Sequence, residues 1–333
     1  MRILITGASG FFGGHCAEAF VRRGDTVAAI VRASSRCDLL KSLGAELHVA
    51  PLDQAEQLRR AMANVDVVVH AAAKVETYGR WREFEQTTIA GTRHVLQAAT
   101  AAGVRQFIHI SSRGVYERPA RDGMLYEETA AYGKPYRWSY YARAKVESEK
   151  IVWEANERRQ IATTILRPTW VYGPRDTTIF ARVVSALRAR RFKWIGDGEN
   201  ILNLVFVSDA AEAVVLAATN PNAHGQIYNI ADDENSVTQR QFLTSICVRL
   251  ALPQPTASIS RNLAHNLGFL GECVAHATGF RVRPPVTRLS VLLLGGRRRF
   301  SSQKLRNELG WKPRVAFAEG IQRSIDWFQT TGT

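Results

Sequence analysis

Tyr141 and Lys145 lie four residues apart in Tyr140-Tyr141-Ala142-Arg143-Ala144-Lys145, a spacing that puts both side chains on one face of a helix. Tyr140 has Ala144 at the matching position, so Tyr141 is the candidate. A phenol, with a pKa of about 10, is a poor base near neutrality, and a neighbouring ammonium favours its ionised form. Such a pair can take a proton from a hydroxyl or return one to a carbonyl oxygen. Ser111 and Ser112 close an apolar run just before Gly114-Val115-Tyr116. A hydroxyl at such a strand end can hydrogen-bond a reacting oxygen and aim it at the phenol. Tyr-x-x-x-Lys also arises by chance on exposed helices, so its meaning depends on what surrounds it.

The surroundings begin at the first residues. Arg2-Ile3-Leu4-Ile5 leads into Thr6-Gly7-Ala8-Ser9-Gly10-Phe11-Phe12-Gly13 and then an amphipathic run from Gly14, which reads as strand, tight turn and helix. A turn of this kind brings backbone N–H groups to a pyrophosphate at a helix N-terminus. Gly7 allows the turn, Gly10 the close approach of phosphate, and Gly13 the packing of helix on strand. Ser9, Phe11 and Phe12 complete the loop as cofactor-binding candidates.

Alternating signals fill the first half. Strands are predicted at Arg2–Thr6, Thr26–Val31, Glu46–Val49, Asp66–Ala71, Gln106–Ser111 and Ala162–Arg167, and helices at Gly14–Arg23, Glu83–Ala102 and Tyr140–Arg159. Continuous apolar strands such as Val67-Val68-Val69 suit a parallel sheet buried on both faces. The fold class is α/β: a doubly wound parallel sheet with a ligand crevice at the strands' C-terminal ends. After Pro168 the rhythm changes. A helix is predicted over 179–191, a short strand at 193–195, and another strand leading into a helix capped by Ser208 or Asp209. Further on come a strand at Ile227–Ile230 and a capping box of Thr238 and Gln241. The expected division is a dinucleotide-binding domain over 1–171, rejoined by 204–232. A smaller, discontinuous substrate lobe is formed by 172–203 and 233–333.

The chain has 333 residues, 46% of them hydrophobic, ample for a large core. No apolar run reaches the ~18 residues that span a bilayer. Met1 leads straight into a core strand, and Cys16, Cys37, Cys247 and Cys273 show no pairing or metal spacing, which suits a cytoplasmic location. The histidines show no ligand spacing, so no metal is expected, and His70 and His109 read as satisfied core histidines. The net charge of +14 owes much to Arg281, Arg283, Arg288, Arg297–Arg299, Lys304, Arg306, Lys312 and Arg314, against Glu308 alone. No nucleic-acid motif surrounds them. Leu263, Leu267, Phe269, Leu270, Val274, Leu289, Val291, Leu292 and Leu293 give the same late segment apolar surface beside these charges, a mixture that suits peripheral contact with a membrane surface and an apolar small-molecule substrate.

Taken together, Thr6–Gly13, His70-Ala71-Ala72-Ala73, Gly91-Thr92, Ser111-Ser112, Tyr141/Lys145 and Arg167-Pro168-Thr169-Trp170-Val171-Tyr172-Gly173-Pro174 resemble an extended short-chain dehydrogenase/reductase over nearly the whole chain. The resemblance implies that Ser112, rather than Ser111, positions the oxygen, and that Lys145 also holds the nicotinamide ribose. It implies that Ala71, Ala72 and Ala73 line the cofactor, and that Pro168 to Val171 face the nicotinamide amide. It also implies a homodimer through the helices around 83–102 and 140–159. Two positions depart from the family pattern. Thr88 stands where the family has Asn before Ile89-Ala90-Gly91-Thr92, and Pro51 stands where it has an adenine-binding Asp, with Asp53 two residues later as the substitute.

The second strand ends in Val31-Arg32, with no acidic residue to bind a ribose 2′-hydroxyl; Arg32 instead suits a 2′-phosphate. NADP is therefore expected, with NAD as the alternative. Later elements, including Ile195-Gly196-Asp197-Gly198, Phe206-Val207-Ser208-Asp209 and Pro285-Val286-Thr287-Arg288, resemble the branch of 3β-hydroxysteroid dehydrogenase-like enzymes and 2-alkyl-3-oxoalkanoate reductases. That branch implies interconversion of a secondary alcohol and a ketone on a hydrophobic, steroid-like or β-oxo acid substrate. The same triad also serves nucleotide-sugar 4-epimerases and dehydratases, which recycle bound NAD. A non-catalytic dinucleotide sensor is the remaining alternative.

Overall fold

The computed structural model describes residues 1–118, 122–177 and 179–331. Seven parallel strands form the central sheet: β1 (Arg2–Thr6), β2 (Thr26–Val31), β3 (Glu46–Val49), β4 (Val67–His70), β5 (Gln106–Ile110), β6 (Ala162–Pro168) and β7 (Gln226–Ile230), in the order β7-β6-β5-β4-β1-β2-β3. The order reverses at β1/β4, so this is a doubly wound Rossmann sheet with its crevice at the switch point. Successive residues of a strand point to opposite faces. Ile3 and Ile5 therefore join one core with α1 (Phe11–Arg22), while Leu4 joins the other with α2 (Gly91–Ala101) and α3 (Tyr140–Glu157). Both faces are covered by helices, which is why these strands read as unbroken apolar runs.

The helix expected over Glu83–Ala102 is interrupted. Trp81–Phe84 is α-helical, Glu85–Ala90 is a π-helical turn, and α2 begins only at Gly91. The interruption forms without the family's Asn. Thr88 Oγ1 accepts the Lys74 amide at 3.0 Å, and the Thr88 carbonyl accepts the hydroxyls of Thr92 (2.6 Å) and Ser148 (3.2 Å). π-Helical turns of this kind gather near functional sites.

Beyond β6 the chain leaves the sheet. Leu204–Phe206 pairs with Trp170–Tyr172 rather than with the main sheet, and the chain rejoins the sheet only at β7. Between them, α4 (Val207–Thr219) packs on α1. Its N-cap is Phe206, with no side-chain cap, contrary to the expected Ser208 or Asp209. Asp209 is buried inside the helix, where its carboxylate accepts the amides of Arg314 and Val315. The Thr238/Gln241 capping box does open helix Gln239–Arg249. That helix, Ile179–Arg188 and Phe317–Thr331 enclose a further core, away from the sheet, around Phe180, Phe242, Ile321 and Phe328.

Candidate active site

Gly7 has φ +74°, and a Cβ there would lie 2.8 Å from the Ala72 amide nitrogen; one on Gly13 would lie 2.3 Å from the Gly7 carbonyl oxygen. The loop therefore needs glycine at both positions. Gly10 stands at the cap of α1, with no side-chain cap and no acidic residue in the first turn. Those open amides at a positive helix end fit a pyrophosphate. A crevice of about 2170 Å³ runs from this loop across the strand ends. Ser9, Phe11 and Phe12 line it, as do Ala71, Ala72 and Ala73 after β4, and Pro168 and Val171 after β6. Arg32 and Asp53 lie exposed at its far rim. The structure thus brings every expected site residue to one crevice.

Ser112, Tyr141 and Lys145 line the middle of this crevice. Ser112 Oγ accepts the Gly114 amide at 3.1 Å and stands beside the Tyr141 ring: a Cβ on Gly114 would lie 3.5 Å from both Ser112 Oγ and Tyr141 Cε1. Ser111 instead has its hydroxyl buried without a protein partner. Lys145 is buried and donates to the Ile110 carbonyl at 2.7 Å. Burial pushes this ammonium down to about 8, against the pull of Glu149. The Tyr141 phenol is raised: burial outweighs the Ser112 hydrogen bond and the nearby Arg113 guanidinium.

Glu149, a further turn along α3, explains how Lys145 is held. Its carboxylate pairs with Arg167 of β6 at 2.6 Å, both side chains being buried, and Arg167 Nη1 donates to the Tyr116 hydroxyl at 2.5 Å. Tyr116 in turn donates to the Asn229 side chain on β7. This network ties the catalytic helix to β6, to the turn after β5 and to β7. Sequence reading missed it, although Tyr141, Lys145 and Glu149 form an i, i+4, i+8 stripe.

His70 is the satisfied core histidine that was expected, with Nδ1 at 2.8 Å from Thr6 Oγ1 and Nε2 at 3.0 Å from Thr92 Oγ1. His109 is not: both its ring nitrogens lack a protein partner. Burial holds both rings neutral, His70 down to about 3. Among the described residues no cluster could hold a metal ion.

The late basic residues do not form one patch. Arg288 pairs with Glu272, Arg297 with Asp197 and Arg306 with Asp233, while Lys304 donates to Gln226 and the Ile227 carbonyl. Acidic residues distant in sequence neutralise much of the excess. Of the expected apolar surface, Leu289, Val291 and Leu292 are buried, while Leu263, Leu267, Phe269, Leu270 and Val274 stay exposed on helix Arg261–Ala277, followed by the exposed Arg281, Val282 and Arg283. Among the described residues no helix is long and apolar enough to cross a membrane.

A Rossmann sheet with a glycine loop and a Ser-Tyr-Lys cluster at its crevice defines an extended short-chain dehydrogenase/reductase. Residues 3–231 match the NAD dependent epimerase/dehydratase family, and the chain belongs to it. It is an oxidoreductase of CH–OH and keto groups that uses a nicotinamide dinucleotide. It is similar to the 4-hydroxy-2-methyl-3-oxo-4-farnesyl-3,4-dihydroquinoline-1-oxide ketoreductase of Stigmatella aurantiaca, with 31% identity covering 96% of this chain and 95% of that one. It is also similar to the 2-alkyl-3-oxoalkanoate reductase of Stenotrophomonas maltophilia, with 29% identity covering 97% and 98%. The fold is shared with UDP-glucuronic acid 4-epimerase from Bacillus cereus solved with NAD, at a TM-score of 0.77, 20% identity and full coverage of both chains.

Proposed function

We propose that this enzyme interconverts a secondary alcohol and a ketone on a hydrophobic substrate of the β-oxo acid or steroid-like kind, with NADP(H) as the preferred cofactor. The observation that carries the reading is the meeting of Ser112, Tyr141 and Lys145 in one crevice that Pro284, Pro285, Val286, Leu289, Leu293 and Leu294 also line. An apolar wall facing a proton-transfer group suits a lipid-like body carrying one reactive oxygen. Of the two relatives described above, one is by name a ketoreductase of a farnesyl-bearing 3-oxo compound and the other a reductase of 2-alkyl-3-oxoalkanoates.

The residues fit a nicotinamide dinucleotide: the open amides of α1 for the pyrophosphate, Lys145 for the ribose, and Pro168 to Val171 for the amide. When bound, that group supplies or accepts the hydride. In the reducing direction Tyr141 donates its proton to the ketone oxygen, Ser112 holds that oxygen in line, and the Lys145 charge favours the phenolate left behind. In the oxidising direction Tyr141 takes the hydroxyl proton.

Arg32 and Arg36 support NADP(H). Both are exposed at the crevice, and neither forms an ion pair among the described residues. Asp38, also at the crevice, is the residue through which NAD could compete. The apolar stripe of helix Arg261–Ala277 runs into Arg283 and Pro284 at the crevice mouth. It supports docking on an anionic bilayer from which an apolar substrate is drawn. The side-by-side packing of α2 and α3 is compatible with a homodimer, which sedimentation would test. The test of the catalytic reading is NADPH oxidation with a 2-alkyl-3-oxo acid. Turnover that survives in Tyr141→Phe would overturn it. Interconversion of a UDP-sugar with no net cofactor change would instead favour the epimerase reading.

A further inference from the structure

Arg182 and Arg283 both line the crevice, Arg182 from helix Ile179–Arg188 and Arg283 from the residue before Pro284. Both side chains are exposed. Among the described residues neither forms an ion pair or donates a hydrogen bond. The Arg283 guanidinium carbon lies 5.1 Å from the centre of the Tyr78 ring, which lines the crevice too. The acids of this region are already engaged. Glu76 pairs with Lys74, and Glu18 pairs with Arg175. The buried Asp176 carboxylate accepts the Ile179 and Phe180 amides, at 3.0 and 3.2 Å, where the helix begins. This sets the two arginines apart from Arg288, Arg297 and Arg306, each of which an acidic residue neutralises. Guanidinia brought to one concave surface without an acid repel each other, and an anion between them relieves that repulsion.

We propose that Arg182 and Arg283 form a clamp at the crevice mouth for a negatively charged group on the substrate, a carboxylate or a phosphate, so that the enzyme works on an anionic lipid-like ketone rather than a neutral one. This rests on the reading that the crevice takes a lipid-like ketone. The apolar body lies on Pro284, Pro285, Val286 and Leu289, which follow Arg283 directly. The planar forks of the two arginines match the paired oxygens of a carboxylate or phosphate. The Tyr78 ring beside Arg283 steadies that fork through its π face. Burial, and then Arg283, hold the Arg182 guanidinium down, against the pull of Tyr78, Glu76 and Asp176.

The other cations of the crevice have their own tasks. Lys145 donates to the Ile110 carbonyl, and the buried Arg113 donates to the Leu202 and Leu293 carbonyls. Arg175 is held by Glu18. Arg32 and Arg36 stand at the cofactor end. Arg182 and Arg283 are thus the cations left open to a substrate anion.

The test reads binding and needs no turnover. Protein saturated with NADP+ is titrated calorimetrically with decanoate, decyl phosphate and decanol. The ligands are kept below the concentrations at which they assemble, so that no lipid surface enters. The parent should bind one or both anions about 10- to 100-fold more tightly than decanol, as charge-assisted hydrogen bonds would give. The tighter of the two names the anion. Arg182→Gln combined with Arg283→Gln should erase that advantage and leave decanol affinity little changed. Raising the salt concentration should shrink the advantage in the parent. Equal affinity of the parent for decanol and both anions, or an advantage that survives in the double variant, overturns the clamp and leaves the lipid-like reading standing. Binding of none of the three ligands overturns both.

Discussion

Glu149→Gln removes one buried negative charge that two cations share. Arg167 Nε donates to both carboxylate oxygens, at 3.0 and 3.1 Å, and Nη2 donates to one at 2.6 Å, with the two side chains 2% and 0% exposed. Breaking such a pair by removing one partner costs about 3–5 kcal/mol. Glutamine keeps one acceptor oxygen, and Arg167 keeps the Tyr116 hydroxyl, so the lower end, about 3 kcal/mol, is expected. With a urea slope of about 3 kcal/mol per molar, the unfolding midpoint should fall by about 1 M. The second effect is functional. Lys145 sits at about 8 with Glu149 opposing its burial, so without that charge it gives up its proton at lower pH. NADPH affinity, followed by nucleotide fluorescence, should then weaken at a lower pH than in the parent. The sign for stability runs the other way. The Lys145 value in the folded chain lies below 10.5, so between about 8 and 10.5 the unfolded chain binds more protons. This group's contribution to stability therefore rises with pH in that window, while its charge is lost. An unchanged urea midpoint together with an unchanged pH dependence of NADPH affinity would refute the account of how α3 is held.

Three other outcomes are expected. Gly13→Ala places a Cβ against the Gly7 carbonyl; overpacking of about 1–3 kcal/mol at this turn should weaken cofactor binding by tenfold or more, read by titration. Arg32→Glu should weaken NADPH by about 10- to 100-fold and leave NADH little changed, since a charged hydrogen bond is worth about 1.5–3 kcal/mol; equal loss for both would remove Arg32 from the 2′-phosphate. Leu267→Asp with Leu270→Asp, both exposed in the parent, should abolish co-sedimentation with anionic vesicles without changing turnover of a soluble substrate. A parent protein that stays in the supernatant would end the membrane reading.

The strands and the glycine loop were legible because their signals are local. β1, β2 and β3 fall on the residues that the apolar runs marked, Gly7 takes the positive φ of the expected turn, and Gly13 packs closely on the backbone of the loop. Tyr141 and a serine at the end of β5 were legible from elements that end at the crevice, while the choice of Ser112 over Ser111 came from the family resemblance. What escaped depended on partners far away in the chain. Arg113 meets Leu202 and Leu293, and Arg297 meets Asp197. No window of sequence shows that these arginines are already engaged. The helix break at Glu85–Ala90 was hidden for another reason: Thr88 makes it through hydrogen bonds to Lys74, Thr92 and Ser148, a role that its residue type does not advertise.

The most direct test of the central claim is nicotinamide absorbance during incubation of purified protein with NADPH and a 2-alkyl-3-oxo acid, run beside Tyr141→Phe. The account predicts net NADPH oxidation by the parent, and its loss in the variant with NADPH binding largely retained. Equal oxidation by both proteins would contradict it.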